Sequence, residues 1–244
     1  MGKKIAIYGA GTIGACQATL TSGNGYSTIV IGHSEEGLSR CRNTMLQNWN
    51  DLIAQKLATA ANRRAAMDLV TITNDVSALR DCDIVFEAVS EDVNIKQRVY
   101  SIITEVCGRD IIVASTTSSI DAAILAEKIE NPARFLIAHP FQPVHMLPLV
   151  EVVRHTETSE ETLNQVCTLL KDLNRQVVML NRSVPGFLVN RFAQALFRES
   201  IYLIEQGITT AADIDRAIKY AVGMRYASIG LLEYYDAVGF ELER

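Results

Sequence analysis

The sequence predicts an α/β protein in which a doubly wound parallel sheet is followed by a smaller, all-helical domain. Up to residue 130, short β-rich runs alternate with longer amphipathic runs, which is the pattern of right-handed β-α-β crossovers. The β-rich runs are almost wholly apolar, as expected for strands that helices cover on both faces. Beyond Pro185 only amphipathic runs follow, so we expect the last part of the chain to be helical.

The alternating region contains five predicted strands and the helices that connect them. The strands are expected at 4–8, 27–31, 69–72, 83–86 and 110–114. The helices are expected at 12–22, over 35–67 as a helical pair, and at 92–107. Strands and helices in this order predict a parallel sheet with helices on both of its faces.

Two strand-like runs, 134–138 and 148–153, interrupt the alternation after residue 130. Too few residues separate them for a crossover helix, so we expect this pair to be antiparallel. A helix at 159–172 and a strand at 175–180 follow before the helical region.

The helical region begins near Pro185, with amphipathic helices expected at 187–206 and 211–222. We therefore predict a sheet domain over 1–184 and a helical domain over 185–244. The second domain has about 60 residues, which is few for a domain that must bury its own core. We expect it to be a shortened version, or to be completed by the partner in a dimer.

The composition excludes several classes of protein. The 23 Lys and Arg are scattered and the formal net charge is −5, so the chain has no basic patch for nucleic acid. No apolar run reaches the ~18 residues of a membrane span, and Gly9 interrupts the N-terminal run too early for a signal peptide. None of the five cysteines belongs to a C-x-x-C pair, so we expect neither a disulfide framework nor a structural zinc site. We therefore expect the protein to be located in the reducing cytoplasm.

The first predicted turn, between a strand and a helix, reads Gly9-Ala-Gly11-Thr-Ile-Gly14. Gly9 permits a tight turn, Gly11 lets the backbone approach a pyrophosphate, and Gly14 lets the helix and the strand pack closely. The phosphates would then lie at the positive end of the helix. Because this G-x-G-x-x-G opens a β-α-β unit, it predicts a Rossmann-type dinucleotide site rather than a glycine-rich turn without a ligand.

The acid that normally binds the adenosine ribose is missing. The fingerprint places it ~20 residues further on, at the end of the second strand, where this chain has Gly32-His33-Ser34-Glu35. Loss of the carboxylate removes a group that repels a 2′-phosphate, but no arginine takes its place and Glu36 adds a second acid. We expect NAD as the cofactor, and NADP stays open because Gly32 replaces the acid.

Five motifs resemble, in the same order, those of the 3-hydroxyacyl-CoA dehydrogenase family. They are G-A-G-T-I-G at 9–14, F-E-A-V-S-E-D-V-N-I-K at 86–96, A-S-T-T-S-S-I at 114–120, A-H-P-F-Q-P-V-H-M-L-P-L-V-E-V at 138–152 and V-P-G-F-L-V-N-R at 184–191. The H-P-F triplet and the G-M-R-Y-A segment at 223–227 are similar to the L-gulonate 3-dehydrogenase, λ-crystallin and carnitine dehydrogenase branch, whose members act on free hydroxy acids.

The resemblance implies an NAD(P)-dependent dehydrogenase that functions in fatty acid metabolism and interconverts a 3-hydroxy and a 3-oxo group. It also implies a homodimer and a small-molecule substrate, either a 3-hydroxyacyl-CoA or a free 3-hydroxy acid. The catalytic residues it implies are His139, Glu151, Ser118 and Asn190. The cofactor-binding residues it implies are Gly9, Gly11, Thr12, Ile13, Gly14, Gly32, Ala88, Glu91, Lys96 and Thr116.

The residues support this chemistry independently of the resemblance. Oxidation of a secondary alcohol requires a base for the hydroxyl proton, and histidine is the usual choice because it titrates near neutral pH. If the strands that carry them are antiparallel, His139 lies beside Glu151. A carboxylate in that place can bind the far ring N–H, fix the tautomer and stabilise the imidazolium.

A metal site is the alternative for this stretch. His139, His145 and Glu151 would offer three ligands and an open position, as catalytic zinc prefers. Nothing else in the sequence suggests a metal, and a dinucleotide can supply the redox chemistry. We therefore predict no metal, and interpret His145 as a loop residue at the edge of the substrate pocket.

Other candidate residues have structural alternatives. Ser118 follows the fifth strand, where it would bond the substrate oxygen, but it could equally cap a helix at 120–127. Asn190 would polarise the reacting carbonyl, or be a solvated amide. Glu91 and Lys96 could be charges on a helix surface.

The chain departs from the family pattern in ways that affect the substrate. Gln142 replaces the asparagine of the usual N-P pair, which lengthens the side chain by one methylene, and Leu231 replaces a usual proline. Basic residues for a CoA phosphate would be Lys56, Arg63 and Arg64. If the substrate is a free acid, Arg225 is the arginine expected to bind its carboxylate.

The alternative from another functional class is a non-catalytic dinucleotide-binding protein like the λ-crystallins.

Overall fold

The computed structural model describes residues 3–239 of the chain. The chain divides into two compact units, Met1–Leu188 and Val189–Arg244. The boundary lies within a few residues of Pro185, where the sequence predicts the helical region to begin.

The first unit contains one eight-stranded sheet of order β3-β2-β1-β4-β5-β6-β7-β8. The strands are β1 (Lys4–Tyr8), β2 (Ser27–Ile31), β3 (Val70–Thr73), β4 (Ile84–Glu87), β5 (Ile112–Ser115), β6 (Phe135–Pro140), β7 (Leu149–Arg154) and β8 (Gln176–Leu180). All neighbours pair parallel except β6 and β7. The predicted parallel sheet and its one antiparallel pair are confirmed, with strand ends displaced by at most two residues.

Six α-helices cover the sheet of the first unit. They are α1 (Thr12–Gly23), α2 (Glu35–Ala54), α3 (Ala60–Asp68), α4 (Val93–Cys107), α5 (Ala122–Ala126) and α6 (Glu160–Asp172). The expected pair over 35–67 is confirmed, because Thr59 caps α3 and so starts a new helix there. Two short 3-10 turns, Val76–Asp81 and Pro132–Arg134, were not predicted. No described helix is long and apolar enough to cross a membrane.

The core lies on both faces of the sheet because successive strand residues point to opposite sides. In β1, Ile5 and Ile7 pack with α1, α2 and α6, whereas Ala6 packs on the other face with α4 and α5. This two-sided burial explains why the strands read as continuous apolar runs. The five cysteines are all free, and three of them are half-buried.

The second unit is helical throughout its described part. It contains α7 (Val189–Glu205), α8 (Ala211–Ala217), a π-helical turn (Ile218–Val222), α9 (Gly223–Tyr226) and α10 (Leu231–Val238). The sequence did not predict α10. Its first turn is closed by Glu233, whose carboxylate accepts from the backbone N–H of Gly230 at 2.7 Å. No residue in 189–239 is buried.

Candidate active site

Four loops lie side by side where the central parallel strands end. The backbone N–H of Gly9 donates to Ile31 O at 2.8 Å, and that of Ala88 donates to Tyr8 O at 2.8 Å. The N–H groups of Gly32 and Thr116 make equivalent bonds, to Thr73 O at 3.0 Å and Glu87 O at 2.9 Å. The strand order reverses between β1 and β4, so Gly9 and Ala88 flank the switch point where open α/β sheets bind ligands.

The glycine turn has the space that a dinucleotide needs. A Cβ on Gly9 would lie 2.3 Å from Ala88 O, and the φ of Gly9 is +132°. A Cβ on Gly14 would lie 1.8 Å from Gly9 O, whereas one on Gly11 would meet nothing within 4 Å. Gly11 and Thr12 are exposed at the start of α1, and Ile13 is half-buried. The turn is therefore closed on its protein side and open on the side where a pyrophosphate would lie, which fits NAD.

The structure gives a steric reason for the missing acid at residue 32. A Cβ on Gly32 would lie 2.8 Å from the Cβ of Ala10 and 2.6 Å from Cδ2 of Leu38. The space in which an aspartate side chain would begin is therefore filled. The hydroxyl of Ser34 is engaged as well, because it accepts from Gly37 N at 3.2 Å and caps α2.

His139 and Glu151 are directly opposite in the antiparallel β6–β7 pair, as the sequence predicts. Nδ1 of His139 lies 2.8 Å from Oε2 of Glu151, and the two residues are 6% and 0% exposed. The other oxygen of Glu151 accepts from Leu188 N at 2.9 Å. Because an ionised carboxylate only accepts hydrogen bonds, the proton between them belongs on Nδ1 of the histidine. Nε2 is then the nitrogen that can take up a proton.

Two phenylalanines hold the imidazole in place. The ring of Phe141 lies 4.6 Å from that of His139, and the ring of Phe187 lies 5.5 Å away, centroid to centroid. Phe187 is 1% exposed and has a φ of +47°, a backbone conformation that side-chain-bearing residues rarely adopt. Sequence patterns alone did not point to Phe187 or Leu188. The glycine before them, Gly186 with a φ of +76°, was the available signal for a sharp turn at this place.

Glu91 and Ser118 are brought together at the carboxyl ends of β4 and β5. Oε1 of Glu91 accepts from the backbone N–H of Ser118 at 3.0 Å and from Oγ1 of Thr117 at 2.6 Å. The alternative in which Ser118 caps a helix is wrong, because Asp121 caps α5 by accepting from Ala123 N. Lys96 is 1% exposed, so the alternative of a helix-surface charge is also wrong for this residue.

The other candidate residues lie elsewhere. Asn190 is half-buried in the first turn of α7, in the second unit. Gln142 is exposed and His145 half-buried in the loop between β6 and β7. Nδ1 of His145 is buried without a hydrogen-bond partner in the described part of the chain, and burial lowers the pKa of this imidazole. Among residues 3–239, no group of three His, Cys, Asp or Glu side chains is placed to hold a metal.

Within the first unit, a dinucleotide turn and a buried His-Glu pair share one edge of the sheet, since β6 runs parallel to β5. A histidine at this edge whose Nδ1 is bound to a carboxylate is suited to remove a proton from an alcohol through Nε2. A turn that can bind the pyrophosphate of a dinucleotide would hold the redox cofactor that such a reaction also requires.

The comparisons with known proteins agree with this arrangement. The family model of the 3-hydroxyacyl-CoA dehydrogenase NAD-binding domain matches residues 4–183, and that of the C-terminal domain matches residues 186–243. The L-carnitine dehydrogenase of Bacillus cereus is 32% identical over 229 residues, which are 93% of this chain and 69% of that protein.

Solved structures show the same similarity. The 5-formyl-3-hydroxy-2-methylpyridine 4-carboxylic acid 5-dehydrogenase, an NAD+-dependent dismutase, superposes with a TM-score of 0.89 at 30% identity, covering 99% of this chain and 78% of its own. The (S)-3-hydroxybutyryl-CoA dehydrogenase from Ralstonia eutropha superposes with a TM-score of 0.85 at 28% identity, covering 91% and 78%. With both domain models matched, the chain belongs to the 3-hydroxyacyl-CoA dehydrogenase family of NAD-dependent oxidoreductases.

Proposed function

We propose that this enzyme interconverts a 3-hydroxy and a 3-oxo group, with His139 as the general base and Glu151 as the residue that orients it. The observation that carries the proposal is the 2.8 Å contact between Nδ1 of His139 and the buried carboxylate of Glu151. A buried carboxylate that binds one ring nitrogen leaves the other nitrogen as a base with a defined direction.

In this mechanism Nε2 of His139 accepts the proton of the substrate hydroxyl. Glu151 stabilises the resulting imidazolium, because the two groups are buried and the attraction between them is little screened by water. Phe141 and Phe187 exclude water from the imidazole and restrict its rotation. When bound, NAD supplies the hydride acceptor.

We propose supporting roles for the remaining candidates. Ser118 would bond the substrate oxygen, and its partly exposed position after β5 supports this role. Asn190 would polarise the reacting carbonyl. The cofactor would be held by the glycine turn with Thr12 and Ile13, and by the neighbouring loops through Gly32, Ala88, Glu91 and Thr116, which all begin at the same edge of the sheet.

For the substrate we propose a free 3-hydroxy acid. Two of the similar proteins act, by their names, on L-carnitine and on a pyridine carboxylate, both of which are free acids. In the second unit, the guanidinium of Arg225 lies 4.3 Å above the ring of Tyr234. A guanidinium that stacks on an aromatic ring can still bind a carboxylate through its N–H groups, so Arg225 is the arginine that we propose for the substrate carboxylate.

An acyl-CoA is the second candidate, because a solved 3-hydroxybutyryl-CoA dehydrogenase superposes closely on this chain. NADH formation would be followed by absorbance with carnitine, gulonate and 3-hydroxybutyryl-CoA, and the reverse reaction with acetoacetyl-CoA. Turnover with a free acid and none with either CoA ester is the expected result. The opposite preference would select the CoA reaction, and tight NADH binding without any turnover would favour a non-catalytic, crystallin-like role.

Glu151→Gln is expected to lower kcat by ~100-fold, since the amide cannot balance the charge of an imidazolium and can force the wrong tautomer. KM and the NADH dissociation constant should change little, because Glu151 is fully buried. Steady-state kinetics and NADH fluorescence measure these quantities. Glu160→Gln is the matched control, since this exposed carboxylate pairs with Arg154 at the surface. Equal kcat values for the two variants would contradict the role of Glu151.

We also propose that two copies of the chain form a homodimer through the second unit. It has no buried residue in its described part, and α7 exposes Phe192, Leu196 and Phe197 by 52%, 49% and 59%. Soluble monomers rarely expose large contiguous apolar patches. Light scattering should give twice the chain mass, and Phe192→Glu with Leu196→Glu should shift it towards the monomer. A monomeric wild-type protein at micromolar concentration would contradict this.

A further inference from the structure

The guanidinium of Arg175 joins two separate parts of the first unit. Arg175 is half-buried between α6 and β8, and its Nε donates to Leu173 O at 3.0 Å, at the end of α6. Its Nη1 donates to Val144 O at 3.2 Å and to Leu147 O at 3.0 Å. These two oxygens belong to residues 143–148 of the β6–β7 loop, which we call the 143–148 turn. One side chain thus ties the end of a helix to this turn.

The end of α6 holds Arg175 in a defined place. Asn174 has a φ of +59°, and its N–H donates to Lys171 O at 2.8 Å. The N–H of Arg175 donates to Leu170 O, also at 2.8 Å. These two bonds close the helix in a Schellman motif, and a cation at this end interacts favourably with the helix dipole. The guanidinium therefore reaches the turn from a fixed starting point.

The contacts of Arg175 are made to backbone oxygens and not to an acid. Among residues 3–239 its guanidinium forms no ion pair with a carboxylate. Burial lowers the pKa of Arg175, but a guanidinium keeps its proton in proteins. Hydrogen bonds from a charged donor are stronger than those between neutral groups. Because the acceptors are backbone oxygens, these bonds constrain the path of the turn itself.

The 143–148 turn is also closed by its own backbone and anchored on α1. Pro143 O accepts from the N–H groups of Met146 and Leu147, both at 2.9 Å. Val144 is 1% exposed and packs against α1. The turn therefore has two independent anchors, the Val144 side chain on α1 and the guanidinium at the end of α6.

The turn lies at the edge of the sheet that carries the candidate catalytic pair. It belongs to the loop between β6, which ends one residue after His139, and β7, which contains Glu151. Phe141 begins the same loop, and its ring packs on the imidazole of His139. Met146 and Leu147 of the turn are 45% and 43% exposed. An anchored turn that exposes apolar side chains near a base is suited to contact a substrate.

We propose that Arg175 is a positioning residue for the substrate, because it fixes the 143–148 turn in the form that contacts the substrate near His139. This inference rests on the proposed function, since it requires a substrate that reacts at His139. All the hydrogen bonds of the guanidinium go to backbone oxygens, so Arg175 acts through the turn. Without the guanidinium, the substrate would have to order the turn, and the lost entropy would weaken substrate binding.

Arg175→Met is expected to raise KM for the preferred substrate ~10-fold, which corresponds to ~1.4 kcal/mol. The kcat value should change less than ~3-fold, because His139 and Glu151 keep their contact. The NADH dissociation constant should stay within ~2-fold, since the glycine turn follows β1. Steady-state kinetics and NADH fluorescence measure these quantities. A general loss of stability would lower the amount of active enzyme and so kcat, and would not produce this selective rise in KM.

Arg175→Lys is the conservative variant. Lysine has one nitrogen with three N–H donors, so its ammonium can replace Nη1 at the two carbonyls of the turn. KM should therefore stay within ~3-fold of the wild-type value. A KM for Arg175→Lys as high as that for Arg175→Met would contradict a role of these two bonds.

Arg154→Met is the matched control for the loss of a half-buried arginine. Arg154 also donates to a backbone oxygen, Thr158 O at 3.3 Å, but it lies at the end of β7, opposite Leu136 and so at the other edge of the sheet. Arg154→Met should lower Tm, as Arg175→Met does, and leave KM unchanged. An equal rise in KM for both methionine variants would assign the effect to stability.

Hydrogen exchange tests the turn without any substrate. The amides of Met146 and Leu147 should exchange at least ~10-fold faster in Arg175→Met than in the wild type, because the turn opens more often. Arg154→Met should leave their exchange unchanged. If the wild-type protein turned over no substrate, the proposed function would fail. Unchanged exchange in Arg175→Met would instead overturn the present inference alone.

A second variant loosens the turn from its other anchor. Val144→Ala removes the contact with α1 and leaves the guanidinium in place, so it serves the same test if Arg175→Met does not fold. Exchange of the turn and KM should both rise, as in Arg175→Met. Faster exchange with a wild-type KM, in either variant, would mean that the turn does not contact the substrate and would overturn the proposal.

Discussion

His139→Ala is expected to lower turnover at least ~100-fold, because the reaction loses the base that accepts the hydroxyl proton. The NADH dissociation constant should stay nearly unchanged, since the glycine turn that would bind the pyrophosphate lies after β1 and the histidine at the end of β6. Fluorescence titration measures NADH binding, and NADH absorbance with the preferred substrate measures turnover. A selective loss of kcat is the result that identifies a proton-transfer residue.

The chain offers a matched control six residues away. His145→Ala removes an imidazole from the same segment, but this ring is half-buried in the β6–β7 loop, outside the strand register that pairs His139 with Glu151. We expect kcat to change less than ~3-fold, a difference of ~0.6 kcal/mol. If His139→Ala and His145→Ala reduced kcat equally, the effect would come from the segment and not from the His139–Glu151 pair.

Gly14→Ala is expected to weaken cofactor binding strongly and to destabilise the first unit. Its methyl group would lie 1.8 Å from Gly9 O, so α1 must move away from the turn. Overpacking of this kind typically costs up to ~3 kcal/mol of folding stability. The N–H groups at the start of α1 would no longer meet the pyrophosphate, and a loss of ~3 kcal/mol in binding corresponds to a ~150-fold weaker NADH dissociation constant.

Gly11→Ala separates the loss of NADH affinity from the loss of folding stability. A Cβ on Gly11 meets nothing within 4 Å, so we expect an unchanged Tm. NADH affinity should still fall, because the methyl group enters the space through which the backbone approaches the pyrophosphate. Calorimetry and fluorescence titration of both variants provide the comparison. Wild-type affinity of Gly11→Ala would mean that the dinucleotide does not lie against this turn.

Local sequence information was sufficient to predict the sheet and the contact between His139 and Glu151. The apolar strands, the glycine turn and the short link between the strands of His139 and Glu151 each depend on residues near one another in the chain. The short link excludes a crossover helix, so the strands had to be antiparallel, and pairing in that register places the two side chains opposite each other. The predicted pairing is confirmed for this reason.

The residues around that pair could not be predicted in the same way. Phe187 reaches the imidazole from 48 positions further along the chain, by a turn with positive φ at Gly186 and Phe187. Lys96 was open to interpretation as a surface charge because the helix pattern alone does not show that a buried acid lies beneath it. The filled space above Gly32 depends on Ala10 and Leu38, which come from two other segments.

The sequence by itself determined the order of strands and helices, the dinucleotide turn and the facing of His139 and Glu151, because periodicity, turn chemistry and loop length act over short distances along the chain. The tertiary structure decided which charges are buried, what shields the imidazole and why residue 32 carries no side chain. These features depend on which distant segments share the same volume, and desolvation and steric exclusion take effect after the chain has packed.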